Sequence, residues 1–367
     1  MISACDVRTL ARREVQGLPR YAPDVTPCAV DVSDNVNLWG TPPAALRALT
    51  TTAMSASRYP SIYATPLRDA VLRYVGVSAD RGIDVVSACG SDDVLDATMR
   101  AFGAPGDEIV FAAPTFAMIP ILARLNGLVP VGVPMAGNYE VDPQRLVDRR
   151  AKITYLCSPN NPTSTALSRE TVEYIVHNAA GLVVMDEAYA EFAPESFAAL
   201  VTTAERLVVI RTFSKAFGLA GLRVGYGIGN AEVIEPIVRA RGPYKVNALA
   251  ESAAVAALAE EPDGIAWVTE HAALAIAIRE RLAAELRALG FAPAPAAGNF
   301  LFVPVTRAQA VAEGMCRRGV LVRALSGLPQ DVPALAATGG DALRIGVGPW
   351  DAMERVLGAF EEAVACV

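Results

Sequence analysis

One lysine near the middle of the chain follows a run of apolar residues typical of a buried strand. The segment LVVIRTFSK, residues 207–215, ends at Lys215, with Ser214 before it and Arg223 eight residues later. A lysine in a half-buried site loses hydration, which favours its neutral form and makes it a nucleophile toward carbonyls. The simpler interpretation is a lysine at a strand end with its ammonium group in solvent. The neighbouring motifs are needed to distinguish this from a reactive lysine.

Polar side chains follow three other predicted strands. Asp186 ends GLVVMD, Asn161 lies in SPNNPT directly after KITYLC, and Gly90 and Ser91 follow DVVSA at the start of a predicted helix. Open α/β sheets bind ligands at the carboxyl ends of their strands, so we expect these groups to converge with Lys215. The amides of a helix N-terminus bind anions, and a serine there is also a common N-cap. Both roles can hold at once.

The strand ends together offer an amine, a carboxylate, an amide, hydroxyls, an arginine and a helix N-terminus. Pyridoxal 5'-phosphate (PLP) needs a lysine for its Schiff base, a carboxylate at its pyridine nitrogen and a cationic, hydroxyl-lined phosphate site. A carboxylate about 4 Å from a pyridinium gains roughly 4 kcal/mol at an effective dielectric constant near 20. That equals about three pKa units, enough to keep the ring protonated as an electron sink.

Short β-type runs alternate with amphipathic helices over much of the chain. This alternation predicts an α/β fold with a mostly parallel sheet in a large domain, covered by helices on both faces. The last part of the sequence predicts a smaller C-terminal α+β domain. The expected division is an N-terminal arm at 1–44, a large domain at 45–260 and a small domain at 261–367.

Composition excludes several classes of protein. The 367 residues are 53% hydrophobic and 19% charged, with a net charge of -7, which argues against disorder and against a nucleic-acid partner. Neither a signal peptide nor an apolar run long enough for a membrane span is apparent. Six scattered cysteines favour a reducing cytoplasm. Two histidines are too few to favour a metal site or a Ser-His-Asp hydrolase.

Several motifs, in this order and at these separations, resemble one known family, the class I/II fold type I PLP-dependent aminotransferases. The strongest are SPNNPT, DEAYAEF, RTFSKAFGLAGLRVGY and LRIGVG, and SRYP, GSDD, APTFAM, GNFLF and GVLVRAL also fall in their expected places. Within the family the sequence is most similar to the histidinol-phosphate aminotransferases. The resemblance runs nearly end to end, from ARREVQGLPRYAPD in the arm onward.

The resemblance implies a role for each matching residue around the cofactor ring. Lys215 would form the internal aldimine and move a proton between the substrate α-carbon and cofactor C4'. Asp186 would pair with the pyridine nitrogen, while Tyr189 and Asn161 would hydrogen-bond the phenolic oxygen. Phe116 would stack on the ring.

The family's phosphate site maps onto residues from several segments. Asp92 would contribute through its backbone amide, and Tyr59 would reach the phosphate from a second subunit, which implies a homodimer. The full predicted set is Gly90, Ser91, Asp92, Thr212, Ser214, Arg223 and Tyr59.

The predicted substrate contacts are Arg344, Arg323, Asn35 and Tyr21. Arg344 would clamp a carboxylate, or a phosphate as in histidinol-phosphate enzymes, and Arg323 is the candidate reader of a side-chain phosphate. Arginine suits planar, two-pronged recognition of either anion, although both residues could instead form surface salt bridges.

The sequence departs from the family pattern at three places. Val36 and Leu38 replace the glutamate and proline of the Asn-Glu-Asn-Pro segment, and Ser164 replaces the glycine after SPNNPT. The run PSIYATPLR, residues 60–68, replaces the more usual Pro-Asp-Pro run after the tyrosine. These differences leave the cofactor chemistry intact and put the substrate in doubt.

Three functions remain open at this point. The first is a PLP-dependent aminotransferase acting on a small-molecule amino donor and a 2-oxo acid or aldehyde acceptor. The second uses the same fold for decarboxylation of threonine phosphate, or for elimination or cyclisation on an amino acid, since one scaffold hosts many chemistries. The third, a PLP-binding regulatory module, would need a DNA-binding domain that the first 44 residues do not suggest.

Overall fold

Seven strands form the main sheet of the protein. The structure, a computed structural model, describes residues 10–18, 22, 24–53 and 57–367. The sheet order is β2-β8-β7-β6-β5-β3-β4, and β8 alone runs antiparallel to its neighbours β2 and β7. The strands of the whole described chain are β1 Val30–Asp31, β2 Ile83–Ala88, β3 Glu108–Ala113, β4 Val129–Pro134, β5 Ile153–Cys157, β6 Leu182–Asp186, β7 Leu207–Thr212, β8 Gly225–Asn230, β9 Phe300–Pro304, β10 Val320–Leu321, β11 Arg323–Leu325 and β12 Ala342–Gly346.

Both faces of the main sheet are buried. Alternate residues of one strand enter different apolar clusters: Leu207 and Val209 join one, and Val208 and Ile210 join the other. Strands buried on both faces read as continuous apolar runs, which is why β5, β6 and β7 stand out in the sequence. The mostly parallel sheet with helices on both faces is therefore confirmed.

Helices supply the covering layers and the surface of the smaller domain. They are α1 Arg13–Gln16, α2 Pro43–Ala53, α3 Thr65–Val75, α4 Ser91–Phe102, α5 Met118–Leu125, α6 Pro143–Val147, α7 Arg169–Asn178, α8 Ala231–Arg241, α9 Ala248–Ala257, α10 Ile265–Ala288, α11 Ala308–Arg317, α12 Pro333–Ala336 and α13 Trp350–Ala365. Two of them, α9 and α10, are rich in alanine. Within the described ranges, none of these helices combines the length and apolarity needed to cross a bilayer.

A second, smaller sheet lies in the C-terminal part, with the antiparallel order β11-β12-β9. A separate two-stranded sheet ties the predicted arm to this part of the chain: β1 pairs in parallel with β10, Val30 opposite Val320. The same contact brings the thiols of Cys28 and Cys316 to 3.5 Å, although these cysteines are far apart in sequence. The smaller C-terminal sheet domain is confirmed, while the predicted boundaries at 44 and 260 stay predictions.

Ser164 joins the loop after β5 to the segment before β9. Its φ of +64° lies in the left-handed region, which favours glycine. The side-chain Oγ accepts a hydrogen bond from the amide of Gly298 at 3.0 Å, and the main-chain oxygen accepts one from Ala297 at 2.7 Å. The serine therefore carries backbone strain that a glycine would avoid, but it accepts a hydrogen bond that a glycine could not accept.

We predict that Ser164→Ala is less stable than Ser164→Gly. Both variants leave the buried Gly298 amide without its side-chain acceptor, which costs about 1–3 kcal/mol. Only alanine also keeps the left-handed strain, about 1–2 kcal/mol. The alanine variant should have the lowest thermal unfolding midpoint of the three, while in the glycine variant the relief of strain offsets much of the lost hydrogen bond. Equal midpoints for all three would show that Ser164 is not a structural link.

Candidate active site

A cavity of about 330 Å³ lies at the carboxyl ends of the central strands. Side chains from the main sheet, the arm and the small sheet all face it. The lining residues are Asp34, Val36, Ser91, Asp92, Phe116, Cys157, Asn161, Asp186, Ala188, Tyr189, Thr212, Ser214, Lys215, Ala220, Arg223 and Arg344. Most of the predicted site residues are therefore brought together.

Lys215 enters the cavity three residues after the end of β7. Its Nζ donates a hydrogen bond to the main-chain oxygen of Asp34 at 2.8 Å and lies 5.7 Å from the ring centre of Tyr189. Burial, reinforced by the positive charge of Arg344, lowers the pKa of Lys215 to about 8. A substantial neutral fraction of this amine is thus available near physiological pH.

Asp186 is the last residue of β6 and lies in register with Cys157 on β5 and Ile210 on β7. Tyr155 donates a hydrogen bond to Oδ2 at 2.8 Å, and the Ala188 amide donates one to Oδ1 at 3.0 Å. Burial raises the pKa of Asp186 to about 6, and these two hydrogen bonds oppose the rise. The carboxyl is therefore still mostly ionised at neutral pH.

Hydroxyl and guanidinium groups form a cup beside the start of α4. Thr212 donates to the Ser214 hydroxyl at 3.0 Å, and Arg223 Nη1 donates to the same oxygen at 3.4 Å. Arg223 also lies 3.8 Å from the Asp92 carboxylate, and a Cβ added at Gly90 would come within 2.7 Å of its Nη2. Glycine is thus required for the arginine to lie against the first turn of the helix.

Arg344 and Tyr189 line the opposite part of the site with partners from the arm. Arg344 is buried, and its Nη1 donates to Asn161 Oδ1 at 2.8 Å while its Nη2 contacts the Ser33 carbonyl. Asn35 donates to the Tyr189 hydroxyl at 3.2 Å. The tyrosine proton therefore remains available for another acceptor.

Four predicted residues within the described part of the chain do not line this cavity: Gly90, Tyr59, Arg323 and Asn35. Arg323 forms an ion pair with Asp34, 2.5 Å between Nη2 and Oδ1. Tyr59 is 84% exposed and packs on Tyr244 with ring centres 4.9 Å apart. Asn35 is buried just behind Tyr189. Tyr21 lies outside the residues that the structure describes.

The sequence did not single out Asp34 or Tyr155. Tyr155 could have been found from the alternation of side chains along a strand. Residues 155 and 157 of β5 point to the same face of the sheet, and Cys157 lines the cavity. Asp34 carries no local signal, since its role depends on β1 docking against β10.

The residues present fit PLP. The amine, the carboxylate at a strand end and the hydroxyl and guanidinium cup match the aldehyde, ring nitrogen and phosphate of that cofactor. The tight approach of Arg223 to Gly90 gives a cup shaped for an anion at a helix N-terminus. Fold and site together define an enzyme that uses a phosphorylated aldehyde cofactor.

Comparison with known proteins gives the family. The profile of "Aminotransferase class I and II" matches residues 29–360. The chain belongs to this family, and it is a PLP-dependent aminotransferase with small-molecule substrates. The predicted family, fold type, cofactor and reaction class are thereby confirmed.

The relatives include two curated proteins named histidinol-phosphate aminotransferase. The one from Roseiflexus castenholzii is 38% identical over 347 residues, covering 91% of this chain and 89% of its own. The one from Methanosarcina barkeri is 36% identical over 340 residues, covering 91% and 88%. A Sinorhizobium meliloti histidinol-phosphate aminotransferase, solved with pyridoxal-5'-phosphate, has a TM-score of 0.83 and 24% identity, with full coverage of both chains. At that identity the solved structure supports the fold.

We predict that the cofactor-free enzyme takes up PLP faster as pH rises, up to about pH 8. A lowered lysine pKa means that the neutral, nucleophilic amine increases about tenfold per pH unit below that value and levels off above it. Stopped-flow absorbance across this range would measure the rate, with N-acetyl-lysine as the control. The control rate should keep rising toward about pH 10. A protein rate that follows the control would contradict the lowered pKa.

Proposed function

We propose that the protein transfers the amino group of an α-amino acid, or of an amino-alcohol phosphate, to a 2-oxo acid or aldehyde through Lys215. One observation carries this proposal: Lys215, Asp186 and Arg344 line a single cavity although they come from three separate parts of the fold. An amine, a ring-nitrogen partner and a carboxylate clamp are the groups that transamination needs in one place.

The reacting centre divides its work among four side chains. When bound, PLP supplies the aldehyde that receives the amino group and a ring that accepts electrons from the substrate α-carbon. Lys215 would hold the cofactor and would then act on the proton at the substrate α-carbon, which a pKa near 8 allows. Asp186 would keep the ring nitrogen protonated. Tyr189 and Asn161 would hydrogen-bond the phenolic oxygen of the cofactor.

Most of the remaining proposed cofactor contacts belong to the cup beside the start of α4. Arg223, Ser214 and Thr212 lie together and would hold the phosphate, together with the first amides of α4 at Ser91 and Asp92. Phe116 also lines the cavity and would pack on one face of the ring. Because the cup is cationic and rich in donors, it binds phosphate and fixes the position of the aldehyde relative to Lys215.

Arg344 is the proposed contact for the substrate's anionic group. Its guanidinium is held by Asn161 and the Ser33 carbonyl, so it is oriented before substrate arrives. Asn35 supports Tyr189 from behind. Histidinol phosphate is a candidate donor because the two curated relatives carry that name, and an ordinary α-amino acid is the other. A cytoplasmic location stays a prediction from the sequence.

We further propose that the active form is a homodimer in which Tyr59 completes the phosphate site of the neighbouring subunit. Tyr59 is large, aromatic and 84% exposed, and its ring packs on that of Tyr244. An exposed tyrosine with one face held by the protein has the character of an interface anchor.

A donor panel tests transamination directly. The holoenzyme is mixed with histidinol phosphate, glutamate, phenylalanine, arginine or threonine phosphate, without an acceptor. We expect at least one donor to convert the lysine-linked cofactor to its amine form, because Lys215 and Arg344 are placed to serve both ends of the donor. Absorbance follows the cofactor, and mass spectrometry identifies the carbonyl product. Lys215→Ala is the control and should show no conversion. Release of carbon dioxide or ammonia with the lysine-linked form retained would instead indicate decarboxylation or elimination.

Hybrid dimers test the exchange of Tyr59. We expect Lys215→Ala to be inactive and Tyr59→Ala to need more PLP for saturation. Mixed by co-refolding and assayed at a PLP concentration too low to saturate Tyr59→Ala, the two variants should regain activity, since a Tyr59→Ala subunit keeps its lysine and receives the tyrosine of its partner. With random pairing about one quarter of the sites become intact. Mixtures no more active than the separate variants would place Tyr59 outside the neighbouring site.

A further inference from the structure

Tyr155 contacts the carboxylate of Asp186 without lining the cavity itself. Its side chain is buried in the apolar layer on one face of the main sheet. In the register of β5 and β6, Cys157 stands opposite Asp186, and Tyr155 lies two residues earlier on the same face. Residues two apart on a strand are separated by about 7 Å, which a tyrosine side chain can span. Strand pairing therefore brings the tyrosine hydroxyl to the carboxylate.

Two donors hold the Asp186 carboxylate in one orientation. The Tyr155 hydroxyl donates to Oδ2 at 2.8 Å, and the Ala188 amide donates to Oδ1 at 3.0 Å. Each carboxylate oxygen can accept two hydrogen bonds, so each oxygen keeps one acceptor position for a group bound in the cavity. A carboxylate with one donor on each oxygen cannot rotate without losing a hydrogen bond, so its plane is fixed before the cofactor binds.

The nearest other acids do not favour an ionised Asp186. Burial, and then the charges of Asp92 on α4 and of Glu187 next in the chain, raise the pKa of Asp186. Burial also raises the pKa of Cys157, so this neighbour on β5 is a neutral thiol. Burial raises the pKa of Tyr155 in the same way, so its hydroxyl keeps its proton and can donate it in a hydrogen bond. Tyr155 thus opposes the effect of burial on Asp186.

The cations of the cavity are engaged with other groups. Lys215, Arg223 and Arg344 line the same cavity as Asp186, and each donates a hydrogen bond to an oxygen elsewhere in the site. The short contact to the carboxylate from a side chain is therefore the one made by Tyr155.

We infer that Tyr155 is a positioning residue that keeps Asp186 ionised and oriented toward the ring nitrogen of the cofactor. This inference rests on the proposed pairing of Asp186 with that nitrogen. One proton is shared between the carboxyl group and the ring nitrogen. A hydrogen bond donated to the ionised carboxylate favours the form in which this proton lies on nitrogen. The protonated ring is the better acceptor of electrons from the substrate.

Tyr155→Phe tests the inference in the holoenzyme, since it removes the hydroxyl and keeps the buried ring. PLP carrying an NMR-active nitrogen isotope in its ring reports the proton through its chemical shift. At neutral pH we expect the wild-type signal at the protonated position and the variant signal displaced toward the unprotonated one. Tyr139→Phe is the matched control and should leave the signal unchanged. Tyr139 is also buried, its hydroxyl has no hydrogen-bond partner among the described residues, and it does not line the cavity.

Turnover and thermal unfolding give further readouts. The kcat of Tyr155→Phe should fall at least about tenfold, because the lost hydrogen bond is to a charged group. The donor KM should change much less, because the proposed substrate contact Arg344 is untouched. In an Asp186→Asn background, Tyr155→Phe should add almost nothing to the loss of kcat, because the amide has no charge to stabilise.

The outcomes separate this inference from the proposed function. An unchanged nitrogen shift in Tyr155→Phe overturns the role of Tyr155, and so does an equal loss of kcat with and without Asp186→Asn. A variant in which only the thermal midpoint falls shows a purely structural hydroxyl, which also overturns it. If no donor converts the cofactor, the proposed function fails, and the nitrogen shift still decides whether Tyr155 controls the ring proton.

Discussion

Parallel pairing of β5, β6 and β7 places three strand ends at one edge of the sheet, and the site depends on this constraint. Register sets Asp186 beside Cys157 and Ile210, and the chain beyond β7 then delivers Thr212, Ser214 and Lys215 to the same edge. Burial on both faces of these strands fixes the register, because a slip of one residue would turn Asp186 into the apolar layer.

The same burial shifts the pKa values of the two central ionisable groups, Asp186 and Lys215, and hydrogen bonds limit the shift at Asp186. Desolvation raises the pKa of Asp186 to about 6, opposed by Tyr155 and the Ala188 amide. Desolvation lowers the pKa of Lys215 to about 8, and its contact with the Asp34 carbonyl gives the amine one fixed direction. A reactive amine and an ionised carboxylate can thus coexist at neutral pH. Because the Asp34 contact comes from the arm, docking of β1 on β10 is part of the catalytic geometry.

Local patterns were sufficient to predict the sheet, the strand ends and the residues on them. Lys215, Asp186, Asn161 and Arg223 each follow or flank an apolar run, and strand ends converge in this type of sheet. The contacts of Asp34 and Arg323 could not be predicted, since 289 positions separate these residues and only tertiary docking joins them. Ser164 illustrates a third case: the sequence marks a strained position, but the hydrogen bond from Gly298 that accompanies the strain appears only in the folded chain. Helices α2, α3 and α8 were also not singled out from the sequence.

The central claim is that Lys215 is the lysine that binds the cofactor, and the chain offers a simple test because its only lysines are Lys152, Lys215 and Lys245. Lys152 is exposed, and Lys245 pairs with Asp93 beside the start of α4. The holoenzyme would be reduced with sodium borohydride, digested and mapped by mass spectrometry. We predict a pyridoxyl group on the peptide that contains Lys215 and on neither of the others. A label on Lys245 or Lys152, or one shared among the three, would contradict the account of this site.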